Sequence, residues 1–535
     1  MTFNLKQIIE DEVHRSSSML PRPNLDSWRR VGHMIDNNVR KQRIGVVQGP
    51  PGTGKTTVIA NTFSGYFNQL GGGNILLYIA PTNELVHDMF RKVVRHYIST
   101  LKPKGLQNLG DLYRDISTEV RLYGSKFYYD REVSELQNMP NQDTKIVIMT
   151  SYQRLYTPSG DFVYNLMIDE ASRSPLHLPF VSVADQLLNT TNLEGSINVV
   201  GDPQQAITIG NYFSESGRRL LMMSYLLRGL LGVDANTKES DIELLEDARR
   251  SSLRGNAYEF LDTTMRMPGP SEEAISLGYY NGDLKAYTRA SNSLNSYFDA
   301  NIGRNIQNQE EETLSKISAG LEDAITTGRP ILYLRVPGKS VYSDYSKKYG
   351  MLYDGKRADI GLKAAIALSA TTGEPTTIVT TYVDQQLQMG LQLKGRYSGL
   401  TKKYGVTEGT IKFSTAQSML GAEDKNIVAI LGKEYPSRAT NVYDPSTLYF
   451  NEPELLNVQL SRQMKFLTIV GNLGYLASQA ARQNRNLTTS KYTPLNVTSD
   501  HLLLQAGFVK QASGYRPKST GNGVVFIDFN AGINE

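Results

Sequence analysis

The sequence IGVVQGPPGTGKTT occupies residues 44–57 and decides the fold of the first part of the chain. Its apolar beginning, Ile44–Gln48, predicts a buried strand, and the following stretch Thr57–Tyr66 has a helical pattern. The glycine-rich segment 49–56 between them fits the pattern GxxxxGK[ST]. A strand, a glycine-rich loop and a helix in this order predict a phosphate-binding P-loop in an α/β domain. The alternative is a glycine-rich turn with an exposed lysine.

The residue types in this loop suit a nucleoside triphosphate with its metal ion. Glycines let backbone N–H groups approach phosphate oxygens, and the start of the helix adds a partial positive charge. Lys55 is expected to reach the β- and γ-phosphates, and the Thr56 hydroxyl is expected to bind Mg²⁺. The predicted nucleotide contacts are Gly49, Pro51, Gly52, Thr53, Gly54, Lys55, Thr56 and Thr57.

A pair of acidic residues follows a second apolar run. The sequence MIDEAS at 167–172 places Asp169 and Glu170 at the end of a predicted strand. In P-loop enzymes a carboxylate at such a strand end binds the metal, which predicts that role for Asp169. Glu170 is then placed to orient and deprotonate a water molecule. Without the P-loop upstream, the same two residues could equally begin a helix.

Short apolar runs alternate with helical patterns along most of the chain, which predicts two α/β domains with parallel sheets. The predicted strands are Ile44–Gln48, Ile75–Ala80, Lys145–Met149, Tyr164–Asp169, Ile197–Gly201, Ile331–Val336, Thr376–Thr381, Thr410–Ser414, Asn426–Leu431 and Leu467–Gly471. The predicted organisation is an N-terminal segment 1–40, a first domain 41–260 with a helical insertion 90–143, a second domain 261–485 with a helical insertion 283–328, and a tail 486–535. The tail contains a strand-like run, Gly523–Phe529, whose role the sequence does not define.

Composition excludes several kinds of chemistry. The 535 residues include no cysteine, which excludes disulfides, thiolate nucleophiles and cysteine-ligated zinc. The net charge of +4 is too small to establish a nucleic-acid partner and does not exclude one. No apolar run approaches the roughly 20 residues of a membrane helix, so we expect an intracellular protein without membrane contact.

A series of motifs follows the phosphate-binding loop in a fixed order. It comprises APTN (80–83), TS (150–151), DEAS (169–172), GDPQQ (201–205), RMP (266–268), ILYLRVPG (331–338), VTTYVDQ (379–385), STAQSMLGAE (414–423) and NVQLSRQMKFLTIVGN (457–472). This series resembles superfamily 1 helicases, in the branch that contains the nonsense-mediated-decay helicase, senataxin and the nidovirus helicases. The resemblance implies two RecA-like domains that bind Mg-ATP between them.

The resemblance also implies roles for individual residues. Gln205 would sense the γ-phosphate, and Arg266 and Arg462 would act as arginine fingers on the transferred phosphoryl group. Gly421 and Glu423 would contact the γ-phosphate and the ribose. Small polar residues at strand ends suit contacts to a nucleic-acid backbone. The candidates are Pro81, Thr82, Asn83, Thr150, Ser151, Tyr382, Gln385 and Thr415. The basic and aromatic stretch 391–413 is either a further nucleic-acid contact or a solvated loop.

The sequence therefore predicts an ATP-dependent helicase or translocase, a monomer that moves on single-stranded DNA or RNA with possible loading or replication partners. The family branch implies 5′→3′ movement. Met265, Leu420 and Met464 replace residue types that are usual in the family. They leave two alternatives open: an NTPase that remodels protein–nucleic-acid complexes without unwinding, and a binding module that nucleotide only gates.

Overall fold

The computed structural model divides the chain into two compact units, which are described separately below. The first comprises Met1–Pro50 with Gly54–Asp262, and the second comprises Pro51–Thr53 with Thr263–Glu535. The structure describes residues 2–3, 7–12, 25–41, 43–101, 109–123, 128–129, 136–153, 155, 162–182, 195–205, 219–234, 241–294, 297–308, 311–337, 353–407, 409–432, 452–487, 490–511, 514–518 and 521–529.

The described part of the first unit is built on a seven-stranded parallel sheet. Its strands are β1 (Ile44–Gln48), β2 (Asn74–Ala80), β3 (Val120–Tyr123), β4 (Ile146–Thr150), β5 (Val163–Ile168), β6 (Ile197–Gly201) and β7 (Tyr258–Phe260). They lie in the order β3-β4-β2-β5-β6-β1-β7. The helices are α1 (Asp26–Lys41), α2 (Lys55–Tyr66), α3 (Asn83–Leu101), α4 (Leu109–Glu119), α5 (His177–Ser182), α6 (Met222–Leu231) and α7 (Asp241–Arg250).

The apolar runs of the first half form the centre of this sheet, as predicted. Strand β2 is buried from Ile75 to Ala80, and β4 is buried along its whole length. A parallel sheet covered on both faces requires such continuous apolar strands. Because all strands are parallel, their carboxyl ends meet at one edge, where Gly49, Pro50 and Asp169 lie.

The two edge strands of this sheet, β3 and β7, were not predicted from the sequence. Strand β3 lies inside residues 90–143, which were predicted to be a helical insertion rather than part of the sheet, so that prediction was wrong for this segment. Strand β3 contains Arg121, which interrupts the apolar pattern. The Arg121 side chain is nevertheless buried, because its Nη1 donates to the carbonyl oxygens of Ser117, Thr118 and Val120 at 2.8–3.0 Å.

The described part of the second unit is built on a six-stranded parallel sheet. Its strands are β8 (Ile331–Arg335), β9 (Thr376–Thr380), β10 (Ile411–Thr415), β11 (Asp424–Ile430), β12 (Gln463–Gly471) and β13 (Val524–Asp528), in the order β10-β9-β11-β12-β8-β13. The helices are α8 (Glu273–Tyr280), α9 (Ala290–Leu294), α10 (Ala300–Gln307), α11 (Glu312–Thr326), α12 (Gly355–Thr372), α13 (Val383–Lys394), α14 (Ser398–Lys403), α15 (Pro453–Leu460), α16 (Leu473–Leu487) and α17 (Thr493–Gln505). Two parallel sheets with flanking helices confirm the predicted α/β class.

The strand-like run near the end of the chain completes the second sheet. Strand β13 pairs in parallel with β8, from Ile331 opposite Val524 to Arg335 opposite Asp528. The last pair is also an ion pair, with Arg335 Nη1 3.1 Å from Asp528 Oδ2. Helix α17 packs against α16 and α8 in the same unit. The segment 490–529 therefore contributes to the core of the second unit where it is described.

Three short strand pairs lie outside the two main sheets. Thr2–Phe3 pairs with Tyr128–Tyr129, and Thr263–Thr264 pairs with Lys285–Ala286, both in parallel. Phe508–Gln511 and Gly514–Pro517 form an antiparallel hairpin. In the described part of the chain, none of the helices combines the length and the apolar character that a membrane span requires.

The packing of β13 leads to a stability prediction. Val524 is 1% exposed although β13 is an edge strand, so Val524→Ala removes two buried methyl groups and leaves a small cavity. We expect the second unit to lose about 2 kcal/mol of unfolding free energy. Urea denaturation followed by circular dichroism measures this loss. The exposed Lys518→Ala serves as a control, and equal midpoints for the two variants would contradict the buried position of Val524.

Candidate nucleotide site

The phosphate-binding loop has the backbone conformation that its glycines permit. Gly54 precedes α2 with a φ of 77°, in the left-handed region that favours glycine. At Gly49, a Cβ atom would lie 2.3 Å from Cγ of Lys55, so a larger residue would collide with that side chain. The Gly49 N–H donates to the carbonyl of Gly201 at 2.9 Å, which fixes the start of the loop to the end of β6.

Lys55 lies between the loop and an acidic side chain. Its Nζ donates to the Gly49 carbonyl at 3.0 Å and is 3.8 Å from Oε1 of Glu170. Both side chains are largely buried, with 15% of Lys55 and 18% of Glu170 exposed. The ammonium group is thus held at the loop by oxygens that phosphate oxygens could replace.

Asp169 is the buried acid at the end of β5. Its Oδ2 accepts hydrogen bonds from Thr56 Oγ1 at 3.0 Å and from the Tyr78 hydroxyl at 2.8 Å. Burial and the neighbouring charge of Glu170 raise the pKa of Asp169, whereas Tyr78, Lys55 and Thr56 oppose this shift. The hydroxyl of the loop and the acid of the strand are therefore hydrogen-bonded to each other, and their role as magnesium ligands stays a prediction.

The donor set at this point fits Mg²⁺. A carboxylate and a hydroxyl are hard oxygen ligands, and Mg²⁺ commonly takes one or two carboxylates together with phosphate oxygens and water. Among the described residues there is no cluster of three His, Cys, Asp or Glu side chains that could hold a metal by themselves. A magnesium ion at Thr56 and Asp169 would take its remaining ligands from phosphate and water.

Glu170 has an unusual backbone conformation. Its φ is +50°, a left-handed value that is uncommon for residues other than glycine, and its N–H donates to Asp169 Oδ1 at 2.9 Å. This turn directs the Glu170 side chain towards Lys55 instead of continuing the strand. A partly exposed carboxylate next to the phosphate loop is in a position to accept a proton from water.

Gln205 is held by a network that the sequence analysis missed. Its Nε2 donates to Oδ2 of Asp202 at 2.5 Å, and the other Asp202 oxygen accepts from Gln48 Nε2 at 3.4 Å. The hydroxyl of Tyr258 in turn donates to Gln48 Oε1 at 2.7 Å. Asp202 stands within the GDPQQ motif and could have been found, whereas no sequence signal links Tyr258 to it. The network fixes Gln205 at the carboxyl end of β6.

The second unit contains the two candidate arginine fingers. Arg266 donates from Nε to Oε2 of Glu423 at 2.7 Å and from Nη1 to the carbonyl of Ser461 at 3.2 Å. The loop residue Gly52 belongs to this unit and accepts a hydrogen bond from the Met265 N–H at 2.9 Å. A Cβ on Gly52 would lie 2.3 Å from Cβ of Arg266, so the backbones approach closely.

Arg462 lies at the junction of α15 and β12. It is only 2% exposed, and its Nε donates to the carbonyl of Val458 in the last turn of α15 at 3.2 Å. Gly421, which was predicted to contact the γ-phosphate, has a φ of +79° in the turn that precedes β11. Arg266, Gly421, Glu423 and Arg462 thus all lie near the amino ends of β11 and β12.

The nucleic-acid candidates of the first unit follow two neighbouring strands. Pro81, Thr82 and Asn83 follow β2, and Thr150 and Ser151 stand at the end of β4, where the Ser151 N–H donates to the Ala80 carbonyl at 2.9 Å. The Thr150 hydroxyl is buried without a hydrogen-bond partner in the described part of the chain. Tyr152 directly follows Ser151 and is 71% exposed. It was not predicted as a nucleic-acid contact, although an aromatic residue after the TS motif is visible in the sequence.

The candidates of the second unit differ in how accessible they are. Gln385 is 3% exposed, and its amide both accepts from the Asp354 N–H at 2.7 Å and donates to the Asp354 carbonyl at 3.1 Å. Its side chain therefore fixes the loop before α12. Tyr382 precedes α13 and, together with Thr380, lines an open pocket. Thr415 ends β10, the neighbour of β9.

The basic and aromatic stretch forms the end of α13 and the short helix α14. Tyr397 is 4% exposed and donates its hydroxyl to Asp359, and the Tyr404 hydroxyl is also buried. The Tyr397 ring belongs to the core of the unit, and the Tyr404 ring is partly buried against that core. Lys402 and Lys403 lie at the surface, which favours the alternative of a solvated loop.

The position of Lys55 yields a direct test of the loop. We expect Lys55→Ala to weaken the binding of a fluorescent ATP analogue by about 10-fold or more, because a charge-assisted contact to phosphate is lost. Lys41→Ala changes an exposed lysine of the same unit and is the control. An unchanged affinity of Lys55→Ala would show that the ammonium does not contact the nucleotide.

Comparisons with known proteins agree with the motif series. A family model described as an AAA domain, which represents senataxin-like helicases, matches residues 26–138. Replicase polyprotein 1ab of Breda virus 1 is 46% identical over 52 residues, which are 10% of this chain and 1% of that polyprotein. The chain thus spans a very small part of this relative.

Among solved structures, the crystal structure of the Pyrococcus furiosus Hef helicase domain matches 86% of this chain and 97% of its own, with 12% identity and a TM-score of 0.33. The AAA-domain match includes the phosphate-binding loop, and the remaining motifs follow it in the expected order. The match to this family model supports a superfamily 1 helicase, and it covers residues 26–138 of the 535.

Proposed function

We propose that the chain is an ATP-dependent helicase or translocase that moves along single-stranded nucleic acid, with 5′→3′ as the expected direction. Mg-ATP hydrolysis would drive the movement, with the protein acting as a monomer. The observation that carries this proposal is the meeting of Thr56 Oγ1 and Asp169 Oδ2 at 3.0 Å, beside Lys55 and Glu170. The four side chains provide a metal position, a phosphate-binding cation and a base in one place.

The residues of the first unit account for the binding and attack steps. Backbone N–H groups of the loop bind the phosphates, and Lys55 exchanges the Gly49 carbonyl for phosphate oxygens. Thr56 and Asp169 would hold Mg²⁺, which would supply positive charge to neutralise the phosphates. Glu170 orients a water molecule and accepts its proton, while Gln205 is fixed by Asp202 to contact the same water.

The second unit contributes positive charge and couples hydrolysis to movement. Arg266 and Arg462 would stabilise negative charge on the transferred phosphoryl group, for which a planar guanidinium is suited. A triphosphate that both units contacted would have a different affinity for different arrangements of the units. Such a difference is what a ligand needs to shift a conformational equilibrium. Strand-end residues that hold a nucleic-acid backbone would then turn the cycle into stepping.

The experiment for this proposal measures phosphate release with and without single-stranded DNA or RNA, and unwinding of duplexes that carry a 5′ or a 3′ tail. We expect one of the two nucleic acids to stimulate hydrolysis and a 5′-tailed duplex to be unwound. Stimulated hydrolysis without strand separation would favour the remodelling NTPase. Tight ATP binding with almost no turnover would favour the nucleotide-gated binding module.

If Glu170 is the base, its substitution should abolish ATP turnover and leave ATP binding in place. Glu170→Gln keeps the size of the side chain but removes the proton acceptor, so we expect turnover to be lost while ATP still binds. Phosphate release and ATP-analogue titration on the same preparation measure the two properties. Glu312→Gln, an exposed glutamate of α11, is the matched control. Normal hydrolysis by Glu170→Gln would show that another group is the base.

Arg462 predicts a loss in rate that exceeds the loss in binding. We expect Arg462→Ala to slow hydrolysis by on the order of 10³-fold, as for a true arginine finger, with a much smaller change in nucleotide affinity. Because Arg462 is buried and bonded to Val458, the thermal unfolding of the variant must be recorded as well. Unchanged turnover in a folded Arg462→Ala protein would assign the arginine to the core of the unit.

A further inference from the structure

The Arg266 side chain is bound by two acceptors from different parts of the second unit. Its Nε lies 2.7 Å from Oε2 of Glu423, and its Nη1 lies 3.2 Å from the Ser461 carbonyl. Only 10% of the Arg266 side chain is exposed, compared with 44% of Glu423. The guanidinium therefore lies beneath a carboxylate that reaches solvent.

Both acceptors are fixed by the central strands of the sheet. Glu423 directly precedes β11, where Asp424 Oδ2 accepts from Thr377 Oγ1 at 2.8 Å and from Lys412 Nζ at 3.1 Å. Ser461 directly precedes Arg462, whose carbonyl accepts from the Asp424 N–H at 3.2 Å. The acceptors thus share one rigid support, the paired beginnings of β11 and β12.

These two hydrogen bonds fix the orientation of the Arg266 guanidinium and therefore of its remaining N–H groups. A guanidinium has five N–H groups, and two of them are used here. The other three have no acceptor in the described part of the chain. A partly exposed ion pair adds little to stability, so the main effect of Glu423 is to set the orientation of the guanidinium.

We propose that Glu423 is a positioning residue, which holds Arg266 so that its free N–H groups meet the phosphoryl group in the transition state. This inference rests on the proposed function and differs from the ribose contact that the family resemblance implies for Glu423. A misplaced catalytic group loses rate without losing ground-state binding. A lost ribose contact would weaken the binding of every nucleotide.

Steady-state kinetics of Glu423→Ala tests this distinction. We expect kcat to fall by about 10²-fold while KM for ATP stays within about 2-fold. The affinity for ADP with aluminium fluoride, a transition-state analogue, should fall by the same factor as kcat, and the affinity for ADP alone should not change. Glu423→Gln retains an oxygen that can accept from Nε and should recover much of kcat.

A double variant shows whether Glu423 acts through the arginine. In an Arg266→Ala background, Glu423→Ala should cause no further loss of kcat, because the group that it orients is absent. Glu312→Ala removes an exposed glutamate that pairs with Lys316 in the same unit, and should leave all kinetic constants unchanged. Thermal unfolding of each variant identifies any loss that comes from misfolding.

Three outcomes would overturn the inference. An active Glu423→Ala enzyme with normal kcat would show that Arg266 needs no such support. A raised KM with unchanged kcat, absent when 2′,3′-dideoxy-ATP is the substrate, would assign Glu423 to the ribose. Either result would leave the proposed function intact. A wild-type protein that hydrolyses no nucleotide would instead overturn the proposed function and this inference together.

Discussion

The hydrogen bonds to one buried carboxylate hold the candidate site of the first unit together. Asp169 Oδ2 accepts from Thr56 on the phosphate-loop helix and from Tyr78 on the neighbouring strand β2. A buried carboxylate is costly unless it is hydrogen-bonded or close to a cation. Here two hydroxyl groups and the nearby Lys55 meet that requirement, and they tie the loop helix to β5 and β2.

The second unit also buries charged groups, and there they are arginines. Arg266 and Arg462 both carry buried or nearly buried guanidinium groups, which need acceptors in fixed positions. Carbonyl oxygens at the end of α15 and the start of β12 supply them, together with Glu423. Each unit therefore supports its charged groups at one edge of its sheet, where loops and strand ends meet.

The sequence predicted the centre of each sheet well, because strands covered on both faces are continuous apolar runs. It also predicted that Lys55, Thr56 and Asp169 would lie close together, since the loop after β1 and the acid after β5 are at the same edge of one parallel sheet. It failed for β3, where Arg121 is buried by bonding local carbonyls and interrupts the apolar pattern. It could not predict the Gln48–Asp202–Tyr258 network or the pairing of Arg266 with Glu423, because these contacts join residues that are distant in the sequence. Gln385 illustrates the remaining limit: its residue type suits a nucleic-acid contact, but the structure uses its amide to bind the Asp354 backbone.

Strand β2 connects the candidate metal ligand of the first unit with the candidate nucleic-acid residues 81–83. Tyr78 donates a hydrogen bond to Asp169, the candidate metal ligand, and only Ile79 and Ala80 separate Tyr78 from the segment Pro81, Thr82 and Asn83. The tyrosine and the first of these residues are about 10 Å apart along an extended backbone. Strand β2 is paired on both sides within the sheet, so it is a rigid connection between the candidate metal ligand and the candidate nucleic-acid residues. A displacement of either group along the strand would therefore be transmitted to the other.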